Sequence, residues 1–397
     1  MTSTVRISTW RVLGVAGVQA AITLGWVLYA LYLPQLLESL GLAAEWAATL
    51  LLIEHGLEMV IEPVVGRMSD RAQRNLGTRY PWIVAGALAA ATCFIGFPLV
   101  VLWGGVAPWL LIVVALAWAS AMAVFRSPVM SLLATAAPPL QLPLAAAALT
   151  LAQQVIGALR FTAFGLILSL GPGFAFTLGS VVLLGAIAFL RWAIPPQPDA
   201  PVEELEGVSP PSLQLREILL IIGVALSLAC SVRFSFGTLG PALGAVFTPD
   251  QKNLGMTAFG FTIALAALPV GYLATCWGNG VTMMRGAIAV ALGLLTLAFF
   301  PQGVVVVITL AIVGIALSGV LNGAIPFVLN LVPGEDKGFG LGIYFGALGG
   351  GFNFFNLFTQ SLGTTAMVQG IAGAIALSLL AVCVGSSPGK AMQTDVG

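Results

Sequence analysis

Glu54, Glu58 and Glu62 recur at every fourth position inside an apolar stretch, and His55, the only histidine of the chain, stands beside the first of them. On a helix, with about 100° between successive residues, the three carboxylates fall within about 80° of one face. Two carboxylates one turn apart repel, so one of such a pair holds a proton readily. That is the chemistry of a proton or cation carrier. Arg126, Arg160 and Arg233 lie in other apolar stretches. They balance the three acids in number, and each can also bind a carboxylate or phosphate. An ionisable group at bilayer depth costs about 2.5–3.5 kcal/mol on insertion scales, so residues of this kind mark function by default. Two readings stay open: a fixed ion network tying helices together, and a coupling-ion site made by Glu54 and Glu58. His55 either relays protons or packs against a neighbouring helix, and Glu62 is expected to serve a gate nearer the membrane surface.

The elements that must hold these residues are transmembrane helices. The chain has 397 residues, of which 59% are hydrophobic and 8% charged, against roughly 25% charged in soluble domains. Such a surface cannot be wetted, which excludes a soluble enzyme and a disordered scaffold. Fifteen Lys and Arg balance fifteen Asp and Glu, leaving no basic excess for nucleic acid. Cys93, Cys230, Cys276 and Cys383 sit singly in apolar runs, so neither disulfide nor metal spacing is present. No metal or other cofactor is expected. The polar start (Met1 to Trp10) leads into a run too long for a signal peptide, so the first helix is expected to remain.

A span needs about 20 mostly apolar residues. Cutting at polar, Gly and Pro breaks gives twelve: 11–36, 43–66, 80–103, 107–136, 142–169, 172–193, 216–247, 253–275, 281–300, 303–332, 338–362 and 364–385. Residues 195–215 hold six prolines and four acids and read as a linker. With both ends in the cytoplasm, eleven of the fifteen basic residues fall on that side (Arg6, Arg11, Arg67, Arg71, Arg74, Arg79, Arg191, Arg216, Arg285, Lys337 and Lys390) and only Lys252 outside. That asymmetry sets the orientation. Trp46, Trp103 and Trp109 then mark outer ends and Trp10, Trp82 and Trp192 inner ones. A weak repeat supports two halves. Glu62-Pro63-Val64-Val65-Gly66 is answered by Leu268-Pro269-Val270-Gly271, and Ser127-Pro128 by Ile325-Pro326. The expected fold is an all-α integral membrane protein of twelve helices in two pseudo-symmetric six-helix bundles, residues 1–194 and 216–397.

The most specific motif is Gly66-Arg67-Met68-Ser69-Asp70-Arg71, followed by Gly77-Thr78-Arg79-Tyr80-Pro81-Trp82. Gly66 lets two helices approach. Asp70 is expected just past the C-terminal end of the second span, where a carboxylate is disfavoured by the helix dipole unless paired. Arg67, Arg71, Arg74 and Arg79 are in reach, so the cluster can latch the two halves in one state and free them in another. This pattern resembles the helix 2–3 signature of the major facilitator superfamily. With Pro63 ahead and Arg79-Tyr80-Pro81 behind, and Phe125-Arg126-Ser127-Pro128 in the fourth span, it is similar to the glycoside–pentoside–hexuronide and sucrose-type symporter branch. Bacteriochlorophyll-delivery proteins share a related loop. The resemblance implies a twelve-helix alternating-access transporter, and the one-turn acidic pair resembles the cation site of melibiose-type symporters. Glutamate in place of their aspartate tilts the expected ion from sodium to the proton. The chain departs from that branch between Arg126 and Arg160, which holds no charge, and in the single Arg79 where a twin Arg is usual.

Neutral polar and aromatic residues suit a solute wall: Gln19, Trp26, Tyr29, Gln153, Asn322, Tyr344, Asn353 and Asn356. Gly338, Gly342, Gly346 and Gly350 form a stripe that permits close helix contact. The expected function is secondary active transport, as proton-coupled symport of a small polar solute such as a sugar or glycoside. The alternatives are a passive facilitator and a non-transporting binding protein that delivers a pigment or assembly partner. The expected partners are the solute, protons and the bilayer of an inner or plasma membrane, with the chain a monomer and no enzyme activity.

Overall fold

The computed structural model describes residues 7–102, 108–196, 213–362 and 365–387. Most of the linker expected at 195–215 lies outside the described residues, as do Arg6, Trp103 and Lys390. The architecture is all helical: α1 (Thr9–Ser39), α2 (Trp46–Leu76), α3 (Tyr80–Leu102), α4 (Trp109–Ser131), α5 (Leu142–Thr162), α6 (Pro172–Ala193), α7 (Leu215–Val246), α8 (Pro249–Trp277), α9 (Asn279–Phe299), α10 (Gly303–Leu331), α11 (Lys337–Leu362) and α12 (Ala366–Gly385). Short helical pieces follow α4 (Leu133–Ala136) and α5 (Phe164–Ser169). Helices satisfy every backbone polar group internally, which lipid demands.

Ten of these twelve are long and apolar enough to cross a membrane by themselves; α2 and α11 are not among them. The acids of α2 and the glycines of α11 make both poor lipid-facing helices, and the two lie against each other. The α2 helix also runs further than its apolar span suggests. Backbone hydrogen bonding continues past Arg67 and Asp70 until Gly77, at φ 67°, turns the chain into the left-handed region. Asp70 is thus on the helix and not beyond it.

The neighbour pattern repeats. In the first half α1 lies on α5 and α6, α2 on α4, and α3 on α4 and α6; in the second α7 lies on α11 and α12, α8 on α10, and α9 on α10 and α12. Each contact has its counterpart six helices later. The seams between the halves are related in the same way, α2 on α11 and α5 on α8. Both are closed by glycines. A Cβ at Gly66 would overlap the backbone of Gly338, and one at Gly271 would lie 2.6 Å from the Ala147 methyl. The repeated Pro and Gly at 63–66 and 269–271 therefore do the same work in both halves. An even number of spans puts both described ends, Ile7 and Ser387, on the same side of the bundle, its near side.

The α11 stripe lies on α2: a Cβ at Gly338 would meet Asp70 and Gly66, one at Gly342 the Glu62 carbonyl, and one at Gly346 the Met59 carbonyl. Gly342→Ala is expected to push this seam apart at a cost of about 1–3 kcal/mol, lowering the thermal midpoint of the purified protein. Gly17→Ala on α1, where nothing stands within 4 Å, leaves the midpoint unchanged or raises it.

Candidate functional site

Three layers stack along the α2–α11 seam. The near-side layer is built on Asp70. Its Oδ1 accepts the Gly338 N–H (2.9 Å) and its Oδ2 the Phe339 N–H (2.7 Å), two of the free donors at the start of α11. Arg79 pairs with the same carboxylate at 2.5 Å and donates to the Ser131 hydroxyl of α4. Asp70 thus suffers the wrong end of its own helix and gains the right end of another. Burial pushes its carboxyl above the ordinary aspartate range against the pull of Arg79 and the two N–H groups. Closing this contact costs desolvation that opposes its attractions, which suits a contact that must also open. Arg67 lies over the Phe339 ring at 4.0 Å, and Arg74 meets Glu335 at 3.3 Å on the exposed rim. Arg71 is exposed.

The middle layer is the acidic row. Glu62, two turns deeper than Asp70, accepts from Arg126 Nε at 2.7 Å. Arg126 also lies 3.3 Å from Glu58, and its guanidinium covers the Phe345 ring at 4.8 Å. Glu58 Oε2 is 3.5 Å from His55 Nδ1, a charge contact too long for a firm hydrogen bond. Glu54 accepts from the Tyr29 hydroxyl, and Tyr29 in turn stacks with Trp118 and Phe97. Glu54 and Glu62 are 0% exposed. The His55 side chain is 16% exposed and that of Glu58 4%, so His55 stands between Glu58 and the open side. Among the described residues, one oxygen of each of the three glutamates has no hydrogen-bond partner.

The far-side layer is open. Gln153, Arg160 and Arg233 are exposed. Gln153 and Arg160 are seven residues apart, so they share one face of α5. Gln19 of α1 donates to Gln153 (3.2 Å) within the first half, and Arg160 reaches the second half, 5.7 Å from the Phe236 ring of α7. Arg233, one turn before Phe236, covers the Phe352 and Phe355 rings of α11 and donates to Asn356 at 3.4 Å. The other neighbour of Phe352 is His55, with ring centroids 5.3 Å apart. A cation–π contact contributes about 0.5–2 kcal/mol, against about 2.5–3.5 kcal/mol for a lone arginine at depth. Aromatic rings alone do not settle these two charges.

The structure therefore divides what the sequence put together. Only Arg126 reaches the acids; Arg160 and Arg233 do not, because α5 and α7 carry them higher and turn them towards each other. Glu62 joins Arg126 and not the Arg67–Arg79 cluster, since the helix continues two turns before that cluster begins. Asn322 is buried and donates to the Ala267 carbonyl at 2.7 Å, a bond between α10 and α8 rather than a solute contact. Tyr29 and Tyr344 are also buried. Trp26 lies on Trp118 and His55, and Asn353 donates to the Leu52 carbonyl of α2 at 3.0 Å. Ser131 and the N–H groups of Gly338 and Phe339 were not legible as latch partners. The one available signal was Glu335-Asp336 before Lys337, which marks a helix start with free N–H groups.

Comparison with known proteins places this geometry. Residues 222–391 match the Major Facilitator Superfamily family model. A sucrose transport protein of Arabidopsis thaliana, SUC4, is 36% identical over 84 residues, which are 21% of this chain and 16% of that transporter. The structure of the E. coli fucose:proton symporter FucP superposes with a TM-score of 0.69 at 13% identity, covering 98% of this chain and 100% of that one. A bacterial homologue of the iron transporter ferroportin, in an outward-facing state, gives 0.71 at 18% identity over 96% of this chain and 98% of that one. The chain is an integral membrane protein with the major facilitator superfamily fold, and its sequence resembles the sugar-type symporters of that superfamily.

Proposed function

We propose that the chain is a secondary transporter working by alternating access, and that it couples inward proton movement to symport of a small polar solute such as a sugar or glycoside. The observation that carries this is the charge count of the buried row: Glu58 and Glu62 share one guanidinium, Arg126, and Glu54 has only the Tyr29 hydroxyl, with His55 at the edge. One fixed cation cannot neutralise three buried carboxylates, so the row as a whole takes up protons. Glu54 and Glu58 are the proton carriers, His55 is the relay to the open side, and Glu62 anchors Arg126. The Asp70 layer is the gate, held shut on the near side here, with Gly66, Arg67, Arg71 and Arg79 around it. Gln19, Trp26, Gln153, Asn353 and Asn356 face the solute path. Residues 1–194 and 216–397 are the two rocking units and 195–215 their linker. The near side is cytoplasmic, the membrane an inner or plasma membrane, and the working unit a monomer. No catalytic step is assigned.

A delivery protein for a pigment or assembly partner draws support from the aromatic wall behind Glu54. Those rings fill their own space, however: Trp118, Tyr29, Phe97 and Phe94 stack on one another and are buried. The test is solute-driven proton movement in proteoliposomes carrying a pH dye, with a panel of sugars, glycosides and organic acids added outside. Internal acidification with one solute is the expected result. Silence across the panel from folded, reconstituted protein overturns transport and favours delivery.

A further inference from the structure

We infer that Arg160 and Arg233 together form an anion site, so that the transported solute carries a carboxylate or phosphate group that bridges the two halves. This rests on the transport reading and names its substrate class. Each arginine lies about eighteen residues beyond the start of its helix, roughly 27 Å along the axis, so the two reach similar depth from opposite halves. Arg160 lies against Phe236, which shares its α7 face with Arg233. Among the described residues neither has an acid within ion-pair distance. Every acid of the chain outside residues 197–212 and 388–397 is described, and none lies on the far-side part of α5 or α7. Among the described residues Arg233 donates to Asn356, whose side chain is neutral.

Two like charges facing each other across a seam hold that seam apart. An anion between them reverses the sign. Guanidinium groups bind carboxylate and phosphate through paired N–H donors, so one oxyanion with several acceptors can engage both arginines. The solute is then the counter-charge that lets the far side close, and an empty transporter does not close there. Phe352, which touches Arg233 on one face and His55 on the other, puts the anion one ring away from the proton relay. The Phe161, Phe236, Phe352 and Phe355 rings around the pair offer flat faces to the carbon skeleton of a polyhydroxylated acid.

The full-length protein in nanodiscs is titrated at constant ionic strength with glucose, gluconate and glucose 6-phosphate, following the thermal midpoint. Gluconate or glucose 6-phosphate is expected to raise the midpoint saturably, and glucose not. In Arg160→Gln and in Arg233→Gln the half-saturating concentration rises by at least about tenfold, while Arg285→Gln on the near side behaves as the parent. Arg160→Glu, which places its own anion opposite Arg233, raises the midpoint without ligand and removes the response to added anion. Glucose acting as well as its acids, no response to either acid, or equal responses in the glutamine variants would each overturn the site. The two readings fail separately. Proton flux driven by a neutral solute in the Arg160→Gln, Arg233→Gln double variant removes the anion site and leaves transport standing; no flux with any solute removes transport.

Discussion

Proteoliposomes containing Glu58→Gln move no protons when solute is added, yet still exchange internal for external solute. Glutamine keeps the size of the side chain and its place between His55 and Arg126, but cannot take or release a proton. Arg126 keeps its shorter contact, to Glu62 at 2.7 Å, so the variant does not leave a buried cation alone. The fold and the solute wall are therefore retained while coupling is lost. The expected size is a fall of at least about a hundredfold in solute-driven acidification, since carriage through a titrating group is replaced by leak, with general proton-transfer contributions of about 10²–10⁴ as the guide. Exchange at equal solute concentration on both sides needs no net proton movement and falls less than about threefold by the same reasoning. Glu54→Gln is the comparison: it keeps the bond from Tyr29 and sits furthest from Arg126. Undiminished coupled flux in Glu58→Gln would make the acidic row architecture, and the ion would have to be sought elsewhere.

Asp70→Asn is expected to unlock the near side. The carboxylate there accepts three donors, the N–H groups of Gly338 and Phe339 and the Arg79 guanidinium. An amide offers one accepting oxygen, turns an N–H₂ towards the remaining donors, and leaves the buried Arg79 without its counter-charge. Breaking a buried pair from one side costs about 3–5 kcal/mol. This cost falls only on the arrangement in which α11 sits against α2, so it shifts the equilibrium between arrangements rather than unfolding the chain. About 3 kcal/mol corresponds to more than a hundredfold in population. Ser69 supplies the probe: it is buried beside Gly338, and in Ser69→Cys the thiol is reached only when the seam opens. Maleimide labelling at that position, read by mass, should accelerate by about a hundredfold when Asp70→Asn is added. An unchanged rate would mean that the glycine stripe alone holds the seam. Salt distinguishes the rim from the latch. Arg74 and Glu335 are exposed and their pair is screened by salt, whereas the buried Asp70 contacts are not.

Composition and run length carried the class and the twelve helices, and the matched Pro and Gly positions pointed to the repeat, because lipid imposes its demands residue by residue. An apolar run of about 20 residues that spans lipid must satisfy its own backbone hydrogen bonds, which a helix does. The row at 54, 58 and 62 was equally legible, since helical periodicity places those residues on one face before any neighbour is known. The partner of that face was not. Gly338, Gly342 and Gly346 announce a close approach without naming the helix that approaches, and only the assembled halves put α2 there. Counting charges suggested three acids balanced by three arginines. The rotation of α5 and α7 about their axes decided otherwise, sending Arg160 and Arg233 to the open side and leaving Arg126 alone with the acids. Asp70 needed a partner by the logic of its own helix dipole. That the partner is the start of a helix 268 residues later is a fact of tertiary packing, since an N–H group carries no mark in the sequence. What each residue could do was set locally; which of them act together was set by how the two halves meet.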